Sequence, residues 1–280
     1  MERPYSMDVE SVFIDIDGTL MDSHGNISND SIRSIKKLID NNVKVVINSG
    51  RILPEIKTVL KKLGMVLPVI GCNGGFVTDD KCRDIKALNI IPKQALTECM
   101  EICCEQKAVK CCSTACSFYA DVSFRPLMDT LREKYSELAR DSLMAQPIYV
   151  SDEEWPELVM KENFLKFNAY AESPELQSKL KSKLSGVSGI SLTLYGKYSL
   201  EYGASGINKG NSMLTYLHMH GLSPHTSVAI GDGNNDIQMV KAAGMGIAMG
   251  NADGKLKQQA DFVTDTIDEN GLSQVLEKLQ

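Results

Sequence analysis

Short apolar runs alternate with amphipathic helical stretches at both ends of this 280-residue chain. Ser11-Val-Phe-Ile-Asp-Ile-Asp17 is rich in β-forming residues and runs into the turn Gly18-Thr19. From Ser28 to Asn41, Ile32, Ile35, Leu38 and Ile39 share one helical face, with Ser28 as N-cap and Asn41-Asn42 as the stop. Val43–Ser49 reads as a second buried strand, Pro54–Leu63 as a helix opened by proline, and Leu67–Cys72 as a third strand. The alternation returns near the C-terminus. A helix spans Lys209–His220 and closes on Gly221; a strand follows at Ser227–Gly231 and a helix at Asn235–Ala243. Short strands are expected at Met245–Met249 and Phe262–Thr264. The last helix carries Leu272, Val275, Leu276 and Leu279, with Asp268 as its candidate N-cap. Strands that alternate with helices join through right-handed crossovers into a parallel sheet. The expected fold class is therefore α/β, with a doubly wound, Rossmann-like parallel-sheet core.

The middle of the chain has a different texture. Helix-like stretches lie near 93–107, 125–140 and 173–184, and strand-like stretches near 111–120, 164–171 and 190–202. This reads as an α+β insertion. The core is expected over 1–83 and 197–280 and the inserted domain over 84–196. Hydrophobic residues make up 43% and charged residues 24%, so a disordered or low-complexity chain is excluded. The net charge of −6 argues against a nucleic-acid partner, because chains that bind phosphate backbones are usually basic. No stretch reaches the ~18 consecutive apolar residues of a membrane helix. Asp8, Glu10, Asp15 and Asp17 interrupt any secretory apolar segment, so the expected location is cytoplasmic, with no membrane partner. The sequons at Asn26 and Asn29 are then coincidental.

Seven of the eight cysteines fall between Cys82 and Cys116, and Cys72 stands apart. Cys99-x3-Cys103 and Cys112-x3-Cys116 loosely fit zinc-ligand spacing. The plainer reading, and the one favoured, is free thiols packed on one helix and one strand.

The chemistry concentrates at one structural address. In an open parallel sheet, ligands bind beyond the carboxyl ends of the strands. Strand one ends in Asp15-Ile-Asp17-Gly-Thr19, strand two in Asn48-Ser49-Gly50-Arg51, strand three in Asn73-Gly74-Gly75. The strand at 227 ends in Gly231-Asp232-Gly-Asn234-Asn235-Asp236, and Lys209 opens the helix before it. Two like unit charges 4 Å apart repel by about 4 kcal/mol at an effective dielectric of 20. Asp15, Asp17, Asp232 and Asp236 gathered at one sheet edge therefore call for a cation. Mg²⁺, with its preference for hard oxygen ligands, fits. Lys209 adds positive charge, and the glycine-rich turns at Gly50 and Gly74 let backbone N–H groups approach an anion. Carboxylates, Mg²⁺, a lysine and a hydroxyl together suit phosphoryl transfer. No Walker A loop, G-x-S-x-G elbow or HExxH pair occurs, and His24, His218, His220 and His225 form no ligand set.

The ordered set Asp15-x-Asp17-Gly-Thr19, Ser49-Gly-Arg51, Lys209 and Gly231-Asp232-Gly-x-Asn235-Asp236 resembles the haloacid dehalogenase (HAD) superfamily of phosphohydrolases. Gly71-Cys-Asn73-Gly-Gly75 and the large insertion resemble its Cof-type branch, with a C2-type cap. The resemblance implies a Mg²⁺-dependent phosphatase that acts on small phosphorylated metabolites, sugar phosphates first, then nucleotides or flavin and pyridoxal phosphates. It implies Asp15 as the nucleophile that becomes an aspartyl-phosphate. Asp17 would be the acid and then the base, with its carbonyl on the metal. Asp232 would be a direct metal ligand and Asp236 the residue that orders the metal shell. Ser49 and Lys209 would hold the transferring phosphoryl group, and Asn235 would donate to it. Asn73 would contact phosphate or substrate, and Arg51 would contact substrate or anchor its loop. Glu201, Tyr198 and Arg125 are candidates to reach the site from the cap. The alternatives are a phosphomutase or disaccharide-phosphate phosphatase on the same scaffold, or a phosphate- or metal-binding regulator without catalysis. The expected assembly is a monomer or homodimer.

Overall fold

A computed structural model describes residues 8–134, 144–196 and 199–280. Two sheets organise them. The first contains β1 (Ser11–Ile14), β2 (Lys44–Asn48), β3 (Val69–Gly71), β4 (Phe76–Thr78), β5 (Ile85–Leu88), β12 (Ser227–Gly231), β13 (Met245–Ala248) and β14 (Phe262–Val263), in the order β14-β13-β12-β1-β2-β3-β4-β5. It is parallel from β14 to β3, while β4 and β5 return antiparallel at one edge. The second contains β6 (Val109–Ser113), β7 (Phe118–Asp121), β8 (Ile148–Val150), β9 (Lys166–Tyr170), β10 (Ile190–Tyr195) and β11 (Ser199–Ala204), ordered β10-β11-β9-β6-β7-β8.

Both faces of the first sheet are covered, which is why its strands read as continuous apolar runs. Val12 and Ile14 of β1 join a core with Ile35 and Leu38 of helix α1 (Asn29–Asp40), Ile56 and Leu60 of α2 (Leu53–Leu63), and Leu272 and Leu276 near the C-terminus. Phe13, between them, points to the other face and packs with Met213 and Tyr216. α1 begins as expected, with the Ser28 hydroxyl accepting from the Ser31 N–H. The chain winds outward from β1 through β2 and β3, then returns on the opposite side at β12. β1 is therefore the point where the winding reverses, and a crevice opens beyond its carboxyl end.

The second sheet packs one face on α3 (Lys93–Glu105), α5 (Trp155–Lys161) and α6 (Pro174–Leu184), through residues such as Leu96, Trp155, Phe167, Leu180 and Tyr202. Its other face carries α4 (Arg125–Lys134), whose Met128 joins Phe124 and Cys111.

Several expectations shift. β5 (85–88) belongs to the first sheet and β11 (199–204) to the second, so both boundaries expected at 83/84 and 196/197 fall in the wrong place. Strand pairing, a long-range property, sets them. The stretches 111–120 and 190–202 are each two strands folded back as hairpins rather than one strand. The helix expected over 125–140 is described to Lys134, and its remainder lies outside the described residues. Asp268 is not the final N-cap. It sits in a one-turn 3-10 segment capped by Thr266, and α10 (Gly271–Lys278) starts after Asn270; α7 (Lys209–Met219), α8 (Ile237–Ala242) and α9 (Gly254–Lys257) precede it.

All eight cysteines are free. Adjacent Cys111 and Cys112 point to opposite faces of β6, into different cores, which strand alternation requires and a zinc pair would not. Burial pushes the Cys99 thiol up to about 12, as befits a packing residue. Among the described residues no helix is long and apolar enough to cross a membrane.

Candidate active site

The crevice beyond β1 gathers residues from four strand ends. Asp15 follows β1, is 5% exposed, and its N–H donates to the Ile230 carbonyl on β12 (3.1 Å). Lys209 opens α7 and is fully buried. Its main chain is tied down by Asn48 at the end of β2, whose amide nitrogen donates to the Lys209 carbonyl (3.0 Å). Its ammonium donates to Asp15 Oδ1 (2.5 Å) and to Asp236 Oδ1 (2.6 Å). The other Asp236 oxygen accepts from the N–H groups of Asp232 (3.1 Å) and Gly233 (2.9 Å). One carboxylate thus braces the turn after β12 and aims the lysine.

Oxygen atoms of Asp15, Asp232 and Asp236 lie within 4.8 Å of one another. This is the only group of potential metal ligands of this kind among the described residues. Gly18, at φ +75°, leaves the space beside Asp232 open: a Cβ there would stand 2.2 Å from Asp232 Oδ2. A hard divalent cation suits this donor set. The electrostatics agree. Burial pushes the Asp232 carboxyl up to about 7, and Asp236 pushes the same way. Burial also raises the Asp15 pKa; Lys209 opposes that rise, and the three neighbouring aspartates add to it. Burial alone would lower the Lys209 pKa, but Asp15 and Asp236 outweigh it and hold the ammonium charged.

Asp17 is turned differently. The Arg51 guanidinium grips its carboxylate with two bonds, Nε to Oδ2 (2.8 Å) and Nη2 to Oδ1 (2.6 Å). Arg51 thereby ties the loop after β2 to the loop after β1. The Asp17 carboxylate is accordingly outside the three-aspartate cluster. Ser49 is buried at the end of β2, its hydroxyl oxygen accepting from the Arg51 N–H (3.3 Å).

Asn73 has left-handed backbone geometry (φ 54°) within the turn after β3. Its carbonyl oxygen accepts from the Asn235 amide (3.0 Å), and its own amide nitrogen donates to Glu201 Oε1. It therefore joins the first sheet to the second. Gly50 lies against it, and a Cβ on Gly50 would come 3.1 Å from Asn73 Oδ1. Gly74 (φ +100°) has its carbonyl taken by Ser212 (3.0 Å) and Asn89 (2.8 Å).

Of the candidates from the insertion, Glu201 reaches the site. Arg125 lies over the Tyr149 ring at 4.5 Å, and Tyr198 lies outside the described residues. Two residues escaped the sequence reading. Lys166 Nζ donates to the Gly50 carbonyl (2.8 Å) and pairs with Glu201 (3.3 Å), and Asn168 donates to Glu201 Oε2 (3.2 Å). Their signal was present. Lys166, Asn168 and Tyr170 alternate with Phe167 and Ala169 along β9, and Glu201 stands opposite Asn168 in the antiparallel register. One polar face of the sheet is thereby aimed at the crevice.

The family model described as haloacid dehalogenase-like hydrolase matches residues 12–276. A 5-amino-6-(5-phospho-D-ribitylamino)uracil phosphatase of Bacillus subtilis is 27% identical, over 96% of this chain and 95% of its own. A phosphoglycolate phosphatase of Methanosarcina acetivorans is 28% identical, over 98% of each chain. Among solved structures, a HAD-superfamily phosphatase from Bacteroides thetaiotaomicron superposes with a TM-score of 0.83 at 25% identity, covering 99% of this chain and 97% of the other. A haloacid dehalogenase-like hydrolase from B. subtilis shares the fold with a TM-score of 0.87 at 22% identity, covering 97% of this chain and all of the other.

Proposed function

The chain belongs to the haloacid dehalogenase-like hydrolases, as a phosphatase of the Cof-type branch, and we propose that it hydrolyses small phosphomonoesters through an aspartyl-phosphate on Asp15. Sugar phosphates are the leading substrate class. The observation that carries this reading is the buried Lys209–Asp15 contact beside Asp232, because it provides an oriented nucleophile next to a cation site.

Lys209 holds Asp15 Oδ1, so Oδ2 is the oxygen that attacks phosphorus. The buried ammonium fixes the carboxylate and adds positive charge where the phosphoryl oxygens gather. Ser49, already oriented by the Arg51 N–H, donates its hydroxyl to a phosphoryl oxygen, and the Asn235 amide donates to another. Asp17 protonates the leaving oxygen and then takes a proton from the water that opens the aspartyl-phosphate. Arg51 keeps that carboxylate at the rim, half-exposed and within reach of solvent. Asp15, Asp232 and the Asp17 carbonyl are the residues that would hold Mg²⁺, with Asp236 bracing them. When bound, Mg²⁺ offsets the clustered negative charge and polarises the transferring phosphoryl group. Residues 90–204 supply the second sheet, which acts as a cap that excludes water and selects the leaving group.

The test is phosphate release from p-nitrophenyl phosphate and from a panel of phosphorylated metabolites, with and without EDTA. Chelator-sensitive release of free phosphate is expected. Transfer of the phosphoryl group back to substrate, without free phosphate, would mean a mutase instead.

A pH dependence follows from Asp232. Its folded pKa, raised to about 7, exceeds that of the unfolded chain. The stability it contributes is present below the unfolded value and is lost as pH rises through about 7. Mg²⁺ requires the deprotonated form, so its affinity is expected to fall about tenfold per pH unit below 7 and to level off above. Calorimetric titration of Mg²⁺ into the metal-free protein between pH 6 and 8 measures this. Mg²⁺ should also raise Tm more at pH 8 than at pH 6. An affinity flat across that range would remove Asp232 from the ligand set.

A further inference from the structure

A cavity of about 210 Å³ lies between the second sheet and the loops of the active site. One end is aromatic. Phe124 is buried and packs against Phe118 (ring centroids 6.0 Å apart) and Tyr170 (5.0 Å). Met128 and Ile52 close its sides. The other end is polar and adjoins the turns that follow β2 and β3: Lys166 is bonded to the Gly50 carbonyl, and Glu201 to Asn73.

The charges there are unbalanced. Among the described residues, Glu55 and Glu201 are set against one ammonium, Lys166, which is already committed to Glu201 and to the Gly50 carbonyl. The Glu55 carboxylate, at the cavity wall, accepts the main-chain N–H groups of Ile52 (3.2 Å) and Ala145 (2.7 Å). A second anionic group on the substrate would meet like charge in a partly desolvated space. The volume is also below the roughly 300–1,000 Å³ of a drug-sized ligand site, which favours one ring over a fused ring system.

We infer that this enzyme selects phosphate esters of uncharged alcohols that carry a single ring, and that it rejects esters whose leaving group bears a carboxylate or a second phosphate. The ring lies against Phe124 and Phe118, and the polar end accepts hydroxyl or amide hydrogens of the linker. The inference rests on the phosphatase reading above and narrows its substrate class.

The test uses the full-length protein with Mg²⁺ and measures kcat/KM by phosphate release for benzyl, para-carboxybenzyl and ethyl phosphate. Benzyl phosphate is expected to exceed each of the other two by about tenfold or more. Phe124→Ala should lower the benzyl-to-ethyl ratio about tenfold, and Glu55→Gln should narrow the benzyl-to-carboxybenzyl ratio about threefold. Ratios within one preparation do not depend on how much of a variant is folded. Equal rates on the three esters, or ratios unchanged in both variants, overturn the inference and leave the phosphatase reading standing. No phosphate from any ester overturns that reading, and this inference with it.

Discussion

Asp15→Asn is expected to abolish turnover and leave the fold intact. The amide keeps an oxygen to accept from Lys209, so the buried contact at 2.5 Å survives in shape. What it loses is the anionic oxygen that attacks phosphorus. Losing the nucleophile of a cooperating set typically costs about 10⁴-fold or more in kcat. Stability should move the other way. Burial already raises the Asp15 pKa, and three neighbouring aspartates add to the strain of ionising it. An uncharged amide removes one member of that crowd, so Tm should hold or rise. Phosphate release and calorimetry on the same preparation separate the two effects. Turnover within tenfold of the parent would place the attacking oxygen elsewhere.

Lys209→Met is expected to damage both activity and stability. Methionine nearly matches the lysine in length and fits its fully buried site, so little packing is lost. The charge is lost, and it leaves Asp15 and Asp236 facing each other without a cation, Asp236 itself being fully buried. Breaking a buried pair from one side costs about 3–5 kcal/mol. The stranded carboxyl groups escape part of that cost by taking up protons. A carboxyl with a raised folded pKa contributes its stability at low pH and loses it as pH rises. Chemical denaturation should therefore show the variant closest to the parent near pH 5 and furthest from it near pH 8. A uniform deficit across that range would mean that Lys209 acts by packing alone.

The residues of the site were legible as a set because all but Lys209, which opens α7, follow the end of a strand. A continuous apolar run, broken by Asp-x-Asp-Gly, Ser-Gly-Arg or Gly-Asp-Gly, carries its own address in a parallel sheet. Local pattern was enough for β1, β2, β12 and the helices between them, since both faces of that sheet are buried and its strands are uniformly apolar. It was not enough for β4 and β5. The burial of β5 alternates between partial and exposed, and only its pairing with β4 makes it a strand. The hairpins of the second sheet were blurred for a related reason. The turn at 114–117 is short, and the apolar Phe118 follows it directly.

Which charge meets which was a different kind of information. Nothing in the spacing of Asp17 and Arg51 indicates that the guanidinium grips that carboxylate, nor that Asp236 divides its oxygens between a lysine and two backbone N–H groups. Lys166 and Asn168 carried their alternation openly, yet that pattern is equally compatible with a face turned to water. The amino-acid order was sufficient for most elements of the first sheet and its helices, the sheet edge where the chemistry gathers and the residue types present there, because hydrophobic periodicity and turn chemistry act over a few residues. The pairing of charges, the boundaries of the two sheets and the lining of the cavity came only with tertiary packing, because Coulombic and hydrogen-bond partners are chosen by distances of a few ångströms between segments far apart in the chain.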